Sequence, residues 1–200
     1  MKLLGLTGGV GMGKSACADL LEQRGIPVID TDKLAREVVE PGQPPLAEVQ
    51  RLFGEEILDP GGRLRRDVLA QMVFADPRLR QQLEAILHPR IRERWRAQIQ
   101  SWRTQNVPLA VVAIPLLFET KAETEFDRVI CVACSPHTQT ARLRGRGWPA
   151  QQVEQRIAAQ APIEEKIAKS NYVIWAEGPL AIHAVQLDRI LSNFDLTLRQ

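Results

Sequence analysis

Short apolar runs alternate with amphipathic segments at the start of the chain, and this pattern predicts an α/β fold. Lys2–Thr7 is an apolar run that ends in a cluster of glycines, and Lys14–Gln23 carries apolar residues at helical spacing. Ile26–Ile29 is a second apolar run, and Asp30 and Asp32 follow it. We therefore predict two strand–helix units of a buried parallel sheet, with polar groups at the carboxyl edge of its strands.

The sheet is predicted to resume after a long helical insertion. The chain between Leu34 and Arg103 is charged and helical, and from Leu79 onward its apolar residues recur three or four apart. Pro89 is expected to kink or break that helix. The later segments are predicted as strands at 109–114, 129–133 and 173–175, polar helices within 135–168 and a final amphipathic helix at 180–194.

Composition and charge exclude several classes of protein. The 200 residues are 44% hydrophobic and 25% charged, and 26 Lys and Arg against 24 Asp and Glu give a formal charge of +2. So small an excess does not predict a nucleic-acid partner. No apolar run reaches the roughly 18 residues that a membrane span needs, and the start of the chain lacks the pattern of a signal peptide. We therefore expect a cytoplasmic protein without a membrane or nucleic-acid partner.

A phosphate-binding motif lies between the first predicted strand and the first predicted helix. Residues 8–15, Gly-Gly-Val-Gly-Met-Gly-Lys-Ser, fit the P-loop pattern, in which backbone N–H groups and a helix N-terminus converge on phosphate oxygens. Lys14 is expected to reach the β- and γ-phosphates of a nucleoside triphosphate, and the Ser15 hydroxyl to ligate Mg²⁺. The expected contacts of this loop are Gly8, Gly11, Met12, Gly13, Lys14, Ser15 and Ala16.

A P-loop alone leaves kinases, GTPases and motor ATPases open. The Asn-Lys-x-Asp motif of GTPases is absent, and the Asp-x-x-Gly match at 59–62 follows no buried strand, so it is predicted to be a turn. A motor ATPase would carry a metal-binding carboxylate at the end of an apolar strand, whereas the run 109–114 ends in Pro115. These absences favour a kinase.

Asp32 suits the role of a base in phosphoryl transfer. It lies at the same predicted sheet edge as the P-loop, where an acceptor hydroxyl needs a group to take its proton. The arginines around Arg142 suit the cationic contacts that the transition state needs. The alternative for Asp32 is a structural one, the N-cap of a helix over Lys33–Val39.

Cys131 and Cys134, with His137 three residues on, have a spacing that occurs in zinc sites. No fourth ligand is evident nearby, and the pair lies in and just after a predicted buried strand. We therefore interpret both cysteines as ordinary small apolar residues.

Taken together, these motifs and several shorter ones give the chain a family resemblance from end to end. It resembles the dephospho-coenzyme A kinases in order and spacing at 5–9, 28–32, 35–42, 53–54, 57–58, 64–66, 83–89, 114–119, Gln139, Arg142, Arg146 and 156–160. The resemblance implies ATP-dependent phosphorylation of the ribose 3′-hydroxyl of dephospho-coenzyme A, with Mg²⁺ as cofactor and a monomer or weak homo-oligomer as the active form.

The resemblance also implies a division of the chain into three functional parts. A P-loop core with a parallel sheet of about five strands flanked by helices takes residues 1–31, 105–136 and 169–200. An inserted helical domain for the coenzyme A substrate takes 32–104, and a helical lid takes 137–168.

By position in the family pattern, the resemblance implies a role for each candidate residue. Asp32 resembles the base, Lys14 and Ser15 the phosphate and magnesium contacts, and Arg142 with Arg146 the lid cations near ATP. Substrate-side positions are Asp32, Arg66, His88 and Arg156.

The chain departs from the family pattern at four places, and two other functions stay open. The departures are Ala16 in place of Thr, Arg65 in place of Asp, the glycines 145 and 147 around Arg146, and Ser170-Asn171 and Trp175-Ala176 around the last strand. The alternatives are a kinase for a nucleoside monophosphate or sugar acid, and a nucleotide-dependent switch without turnover.

Overall fold

A computed structural model describes residues 1–194 and divides the chain into two units. The first unit comprises Met1–Asp30 and the chain from Trp102 onward, and the second comprises Thr31–Ser101. Residues 195–200, the end of the predicted core segment 169–200, lie outside the described residues.

A parallel sheet is the centre of the first unit. Within residues 1–194 it has five strands, β1 (Lys2–Gly8), β2 (Val28–Asp30), β3 (Leu109–Ala113), β4 (Arg128–Ala133) and β5 (Tyr172–Trp175). Their order is β2-β3-β1-β4-β5, and each neighbouring pair is parallel. The predicted α/β fold with a parallel sheet of about five strands is confirmed.

Helices follow or separate the strands in the alternation that the sequence predicts. In chain order they are α1 (Lys14–Gln23), α2 (Thr31–Glu37), α3 (Pro44–Phe53), α4 (Arg66–Ala75), α5 (Pro77–Thr104), α6 (Pro136–Gly145), α7 (Ala150–Ala158), α8 (Ile163–Lys169) and α9 (Leu180–Leu191). None of the helices in the part of the chain described is long and apolar enough to cross a bilayer.

The core of the first unit lies between the sheet and its helices. All five residues of β3 are buried, as expected for a central strand covered on both faces. Leu21 of α1 and Leu187 of α9 are both fully buried in this core. Arg24, just after α1, donates to both carboxylate oxygens of Asp188 on α9 at 2.6 and 3.0 Å. The two helices are thus joined by apolar packing and by a bidentate ion pair.

The outer edge of β5 is covered by a side chain instead of another strand. Gln186 on α9 accepts a hydrogen bond from the Trp175 N–H at 2.8 Å and donates one to the Trp175 carbonyl at 3.0 Å. The side-chain amide therefore replaces the partner that an edge strand lacks.

The second unit is helical and has its own apolar cluster. Val49 and Phe53 of α3 pack with Ile57 and with Leu69 of α4, and all four are buried. An ion pair from Arg90 of α5 to Glu48 of α3 at 2.5 Å adds a polar contact.

Of the two outcomes predicted at Pro89, the break is wrong, because α5 continues through this residue from Pro77 to Thr104, and the kink stays a prediction. Proline removes one N–H from the helix and disturbs the preceding turn. Arg90 donates from Nη1 to the Ile86 carbonyl at 2.7 Å, which supplies a hydrogen bond to that turn.

Two leucines on α9 test how strongly the helix depends on its buried face. Leu187 is fully buried and Leu180 is 46% exposed. Leu187→Ala should lower the free energy of unfolding by about 2–5 kcal/mol, because it removes buried methyl groups and leaves a cavity. Leu180→Ala should change it by no more than about 0.5 kcal/mol. Urea unfolding at 25 °C measures both, and similar losses would contradict the packing described for α9.

Candidate active site

The loop between β1 and α1 has a backbone conformation that only glycine adopts easily. Gly11 has φ of 77° and Gly13, the residue before α1, has φ of 100°. A Cβ atom on Gly11 would lie 2.8 Å from Cγ of Leu143 on α6, so the loop also packs closely against that helix. The loop therefore presents backbone groups at the N-terminal end of α1, where partial positive charge favours an anion.

The charged group nearest to this loop is Lys14, the first residue of α1. Its side chain is 9% exposed, and its Nζ lies 4.0 Å from Oδ1 of Asp30, the last residue of β2. The carboxyl ends of parallel strands meet at one edge of a sheet, which is where both groups lie. The edge therefore combines a cation for phosphate with a carboxylate.

The oxygen atoms beside the loop fit Mg²⁺. Ser15 is exposed on the first turn of α1, and the Asp30 carboxylate at the end of β2 lies 4.0 Å from Nζ of the preceding residue, Lys14. Mg²⁺ prefers hard oxygen ligands and keeps several waters, so one hydroxyl and one carboxylate are a suitable donor set. Met12 is 2% exposed and Ala16 is half-buried, so these two residues offer a ligand only their backbone atoms at most.

Two glutamines hold the peptide groups on either side of Val10. Gln160 accepts a hydrogen bond from the Val10 N–H at 2.8 Å, and Gln139 on α6 donates to the Val10 carbonyl at 2.8 Å. In a trans peptide the carbonyl and the following N–H point in opposite directions. Because Gln139 binds the Val10 carbonyl, the N–H of Gly11 in the same peptide group points away from Gln139. Because Gln160 binds the Val10 N–H, the Gly9 carbonyl points away from Gln160, and it accepts a hydrogen bond from the Met12 N–H at 3.1 Å.

This contact of two glutamines with one backbone residue was not predicted from the sequence. Both lie in stretches that match the family pattern, but nothing in the residue types indicated a contact with the loop. Gln139 is 5% exposed, and burial of a polar side chain is the signal that identifies it in the structure.

Arg142 on α6 adds a second cation at the loop. Its Nη2 donates to the Ala176 carbonyl at 2.8 Å, and a Cβ atom on Gly13 would lie 3.6 Å from its Nη1. Nη1 is buried and has no hydrogen-bond partner within residues 1–194. Because the Ala176 contact is to a backbone carbonyl, the departure from the family pattern at Trp175-Ala176 does not remove it.

A carboxylate at the start of α6 orients the helix that carries Gln139 and Arg142. Glu177 accepts hydrogen bonds from the Ser135 N–H and the Thr138 hydroxyl, both at 2.7 Å. These bonds, first the one from Ser135, lower the pKa of Glu177 to about 2. Folding lowers this pKa, so the ionised carboxylate stabilises the folded state at pH values above the ordinary pKa near 4.5. That stabilisation is lost as the pH falls toward 2.

Arg146, predicted as a lid cation, and Arg156, predicted as a substrate contact, have different surroundings. Arg146 directly follows α6 and is exposed. Arg156 on α7 places its guanidinium 4.5 Å from the centre of the Trp148 ring, and burial lowers its pKa. Arg156 is therefore held by an aromatic ring in the segment where the sequence predicted the lid.

The remaining predicted site residues lie in the second unit. Asp32 is exposed and is the second residue of α2, so it is inside the helix and not its N-cap. Arg66, the first residue of α4, donates to the Arg36 carbonyl at 3.2 Å, and its pKa is lowered by burial and by the charge of Arg36. His88 on α5 is half-buried, and its pKa is lowered by burial, against an opposing effect of Glu84.

The cysteines show no sign of a metal site. Cys131 and Cys134 are buried, and burial raises the pKa of the Cys131 thiol to about 11. Throughout the described residues, no group of three or more His, Cys, Asp and Glu side chains could hold a metal ion.

The chain is similar to proteins of one family over almost its whole length. The sequence model of the dephospho-CoA kinase family matches residues 2–181. A dephospho-CoA kinase of Anaeromyxobacter dehalogenans is 43% identical over 194 residues, which are 96% of this chain and 92% of that protein.

Solved structures with the same fold are also similar to the chain. A crystal structure of a Thermus thermophilus protein has a TM-score of 0.80 at 35% identity, over 96% of this chain and 97% of that one. A dephospho-CoA kinase from Campylobacter jejuni has a TM-score of 0.70 at 23% identity, again over 96% and 97%. The second likeness concerns the fold alone.

Two glycine substitutions test the conformation of the loop. Gly13→Ala should destabilise the protein by about 1–2 kcal/mol, because a Cβ is strained at φ of 100°. It should also weaken nucleoside triphosphate binding by about tenfold or more, as the backbone relaxes away from the phosphates.

Gly145→Ala is the matched control for Gly13→Ala. Gly145 ends α6, and among the described atoms none lies within 4 Å of a Cβ built there. This change should leave binding unaltered and raise stability by about 0.5–1 kcal/mol. Thermal unfolding and titration calorimetry measure both effects, and equal losses of affinity would refute the role given to Gly13.

Proposed function

Since the chain belongs to the dephospho-CoA kinase family, we propose that its loop at residues 8–15 binds the ATP with which it phosphorylates dephospho-CoA. The enzyme transfers a phosphoryl group to the 3′-hydroxyl of the ribose, which gives CoA and ADP in the last step of CoA biosynthesis. The observation that carries the proposal is the convergence of Lys14, Asp30 and Arg142 on the glycine-rich loop at the N-terminal end of α1.

The cations at the loop suit the charge that develops during phosphoryl transfer. In the transition state negative charge is spread over the phosphoryl oxygens, and catalysis consists mostly of positioning and electrostatic stabilisation. Lys14 would contact the β- and γ-phosphates. Arg142 has a buried Nη1 without a hydrogen-bond partner inside residues 1–194, and phosphate oxygens would satisfy it. Arg146, exposed directly after α6, is a further cation that we propose for ATP.

Ser15 and Asp30 are the residues that would hold Mg²⁺ with its waters. The ion would neutralise phosphate charge and hold the β- and γ-oxygens in one orientation.

Asp32 is the base that we propose for the ribose hydroxyl. Its carboxylate is exposed and follows Asp30 by two residues, so the chain itself holds it near the carboxyl end of β2. Asp30 lies 4.0 Å from Lys14, which favours a role in orienting the lysine and the metal. In this proposal Asp32 acts on the acceptor hydroxyl, and Asp30 acts on the ATP side through Lys14 and the metal.

The dephospho-CoA substrate is anionic, and the second unit offers cations for it. The pKa of Arg66 is lowered first by burial and then by the nearby charge of Arg36, against an opposing effect of Glu40. Such a pair is stabilised by an anion between or beside its members, and a diphosphate group has that chemistry. We infer that Arg66 and His88 contact dephospho-CoA, with Arg156 as a further contact from α7.

The functional division of the chain follows from these roles. Residues 32–104 would hold dephospho-CoA, 137–168 would act as a lid, and the remaining segments would bind ATP. A monomer or weak homo-oligomer in the cytoplasm is the form that we expect to be active. We expect the enzyme to turn over ATP with dephospho-CoA as acceptor. A nucleotide switch would show no turnover, and a kinase for another small alcohol would not prefer dephospho-CoA.

The purified enzyme should release ADP in a coupled assay only when dephospho-CoA is present, and not with a nucleoside monophosphate or sugar acid.

Lys14→Met tests the assignment of the loop. The variant keeps the apolar stem of the buried side chain but loses the charge, so kcat/KM should fall by at least about 10²-fold without a loss of folding. Near wild-type turnover would show that the loop is not the ATP site.

Asp32→Asn tests the base. The amide keeps the size of the side chain but cannot accept the proton, so kcat should fall by about 10²–10⁴-fold while ATP affinity stays nearly constant. A loose transition state needs little help from a base, which places the expected loss near the low end. Asp30→Asn is the control and should weaken ATP and Mg²⁺ binding more than it lowers kcat. An inactive Asp30→Asn beside an active Asp32→Asn would reverse the two roles.

A further inference from the structure

A completely buried lysine lies near the ATP loop and has no part in the roles assigned above. Lys166 on α8 is 0% exposed, and its Nζ lies 2.8 Å from Oε1 of Glu119 and 2.7 Å from the Pro115 carbonyl. Burial of an ammonium group costs several kcal/mol, and an apolar residue of similar volume is often as stable or more stable. Stability of the fold is therefore a weak reason for this charge.

The partner of Lys166 connects it to the loop. Glu119 accepts a second hydrogen bond from the Ala161 N–H, also at Oε1, at 2.9 Å. Ala161 follows Gln160 directly, and Gln160 accepts from the Val10 N–H at 2.8 Å. Polar contacts thus link the buried ammonium group through one carboxylate to Ala161, and the peptide bond to Gln160 and the hydrogen bond from Val10 connect Ala161 to the loop.

The second partner of Lys166 lies at the same edge of the sheet. The Pro115 carbonyl also accepts from the hydroxyl of Thr7 at 3.3 Å. Thr7 is fully buried on β1, one residue before the loop. The ammonium group therefore meets the chain after β3 at the point where β1 leads into the loop.

We propose that Lys166 is a positioning residue for ATP binding. Its charge fixes the Glu119 carboxylate, the carboxylate holds the Ala161 N–H, and Gln160 is thereby kept in register with Val10. The loop is then arranged before ATP arrives, so less order must be gained on binding. This inference rests on the proposed function only in taking residues 8–15 as the ATP site.

Substitution by methionine separates positioning from a structural role. Lys166→Met conserves much of the volume but leaves the Glu119 carboxylate unpaired, so the variant should unfold at a lower urea concentration than the wild type. The Kd for ATP should rise by about tenfold or more, while the KM for dephospho-CoA stays constant. The Val10 amide should also exchange faster with solvent in the nucleotide-free protein.

Two further variants show whether the effect passes through Gln160. In a Gln160→Ala background, Lys166→Met should add no further loss of ATP affinity, because the contact that it supports is already gone. Lys169→Met is the matched control, since Lys169 lies on the same helix but pairs with Glu165 at the surface. It should leave the Kd for ATP and the exchange of Val10 unaltered.

A double apolar variant keeps the test decisive if Lys166→Met leaves Glu119 unpaired and the protein unfolded. Lys166→Met with Glu119→Met removes both charges, so folding should be retained while Val10 protection and ATP affinity fall. An unchanged Kd for ATP in a folded variant would overturn the proposal, as would an equal further loss in the Gln160→Ala background. Failure of the wild-type enzyme to use ATP would instead refute the proposed function. The two failures are distinguishable, because the exchange of the Val10 amide is measured without nucleotide.

Discussion

The arrangement of the site depends on one stretch of backbone, the loop between β1 and α1. Its glycines allow the chain to turn with positive φ, and the Val10 peptide groups are held by Gln160 on one side and Gln139 on the other. Each of these contacts fixes a direction, because the two ends of a trans peptide point opposite ways. Backbone N–H groups bind phosphate only if they point at it, so residues that fix the direction of the peptide groups contribute to the proposed site. Gln139 and Gln160 have this role beside Lys14.

The charges near the loop are arranged so that each has a compensating group. Lys14 lies beside Asp30, the Arg142 guanidinium donates to a backbone carbonyl, and Lys166 is paired with Glu119. Glu177, which accepts from the start of α6, keeps a lowered pKa and fixes the helix that carries Arg142. Such an arrangement preserves positive potential at the phosphate site that we propose and limits the cost of burying cations next to one another.

The second unit has its own apolar cluster and carries most of the residues that we propose for the acceptor substrate, whereas the ATP loop lies in the first unit. Its start, Asp32 on α2, follows β2 without a linker, so the proposed base is joined covalently to the strand whose end carries Asp30. Two arginines of this unit differ in their surroundings. Arg90 forms an ion pair within the unit, whereas the charge of Arg36 lowers the pKa of Arg66, an unfavourable effect that we expect an anionic substrate to relieve.

The sequence alone determined the parallel sheet, the P-loop and the kinase family, because buried strands, helical periodicity and a glycine-rich phosphate motif are local patterns of residue type. It left open whether α5 breaks at Pro89, where the helix continues and the side chain of Arg90 donates to the Ile86 carbonyl. It did not identify Gln139, Gln160 and Lys166 as neighbours of the loop, since their partners are far away in the chain and no local pattern encodes them. Only tertiary structure brings such residues together, because burial makes a polar group find its hydrogen-bond partner wherever the fold places one.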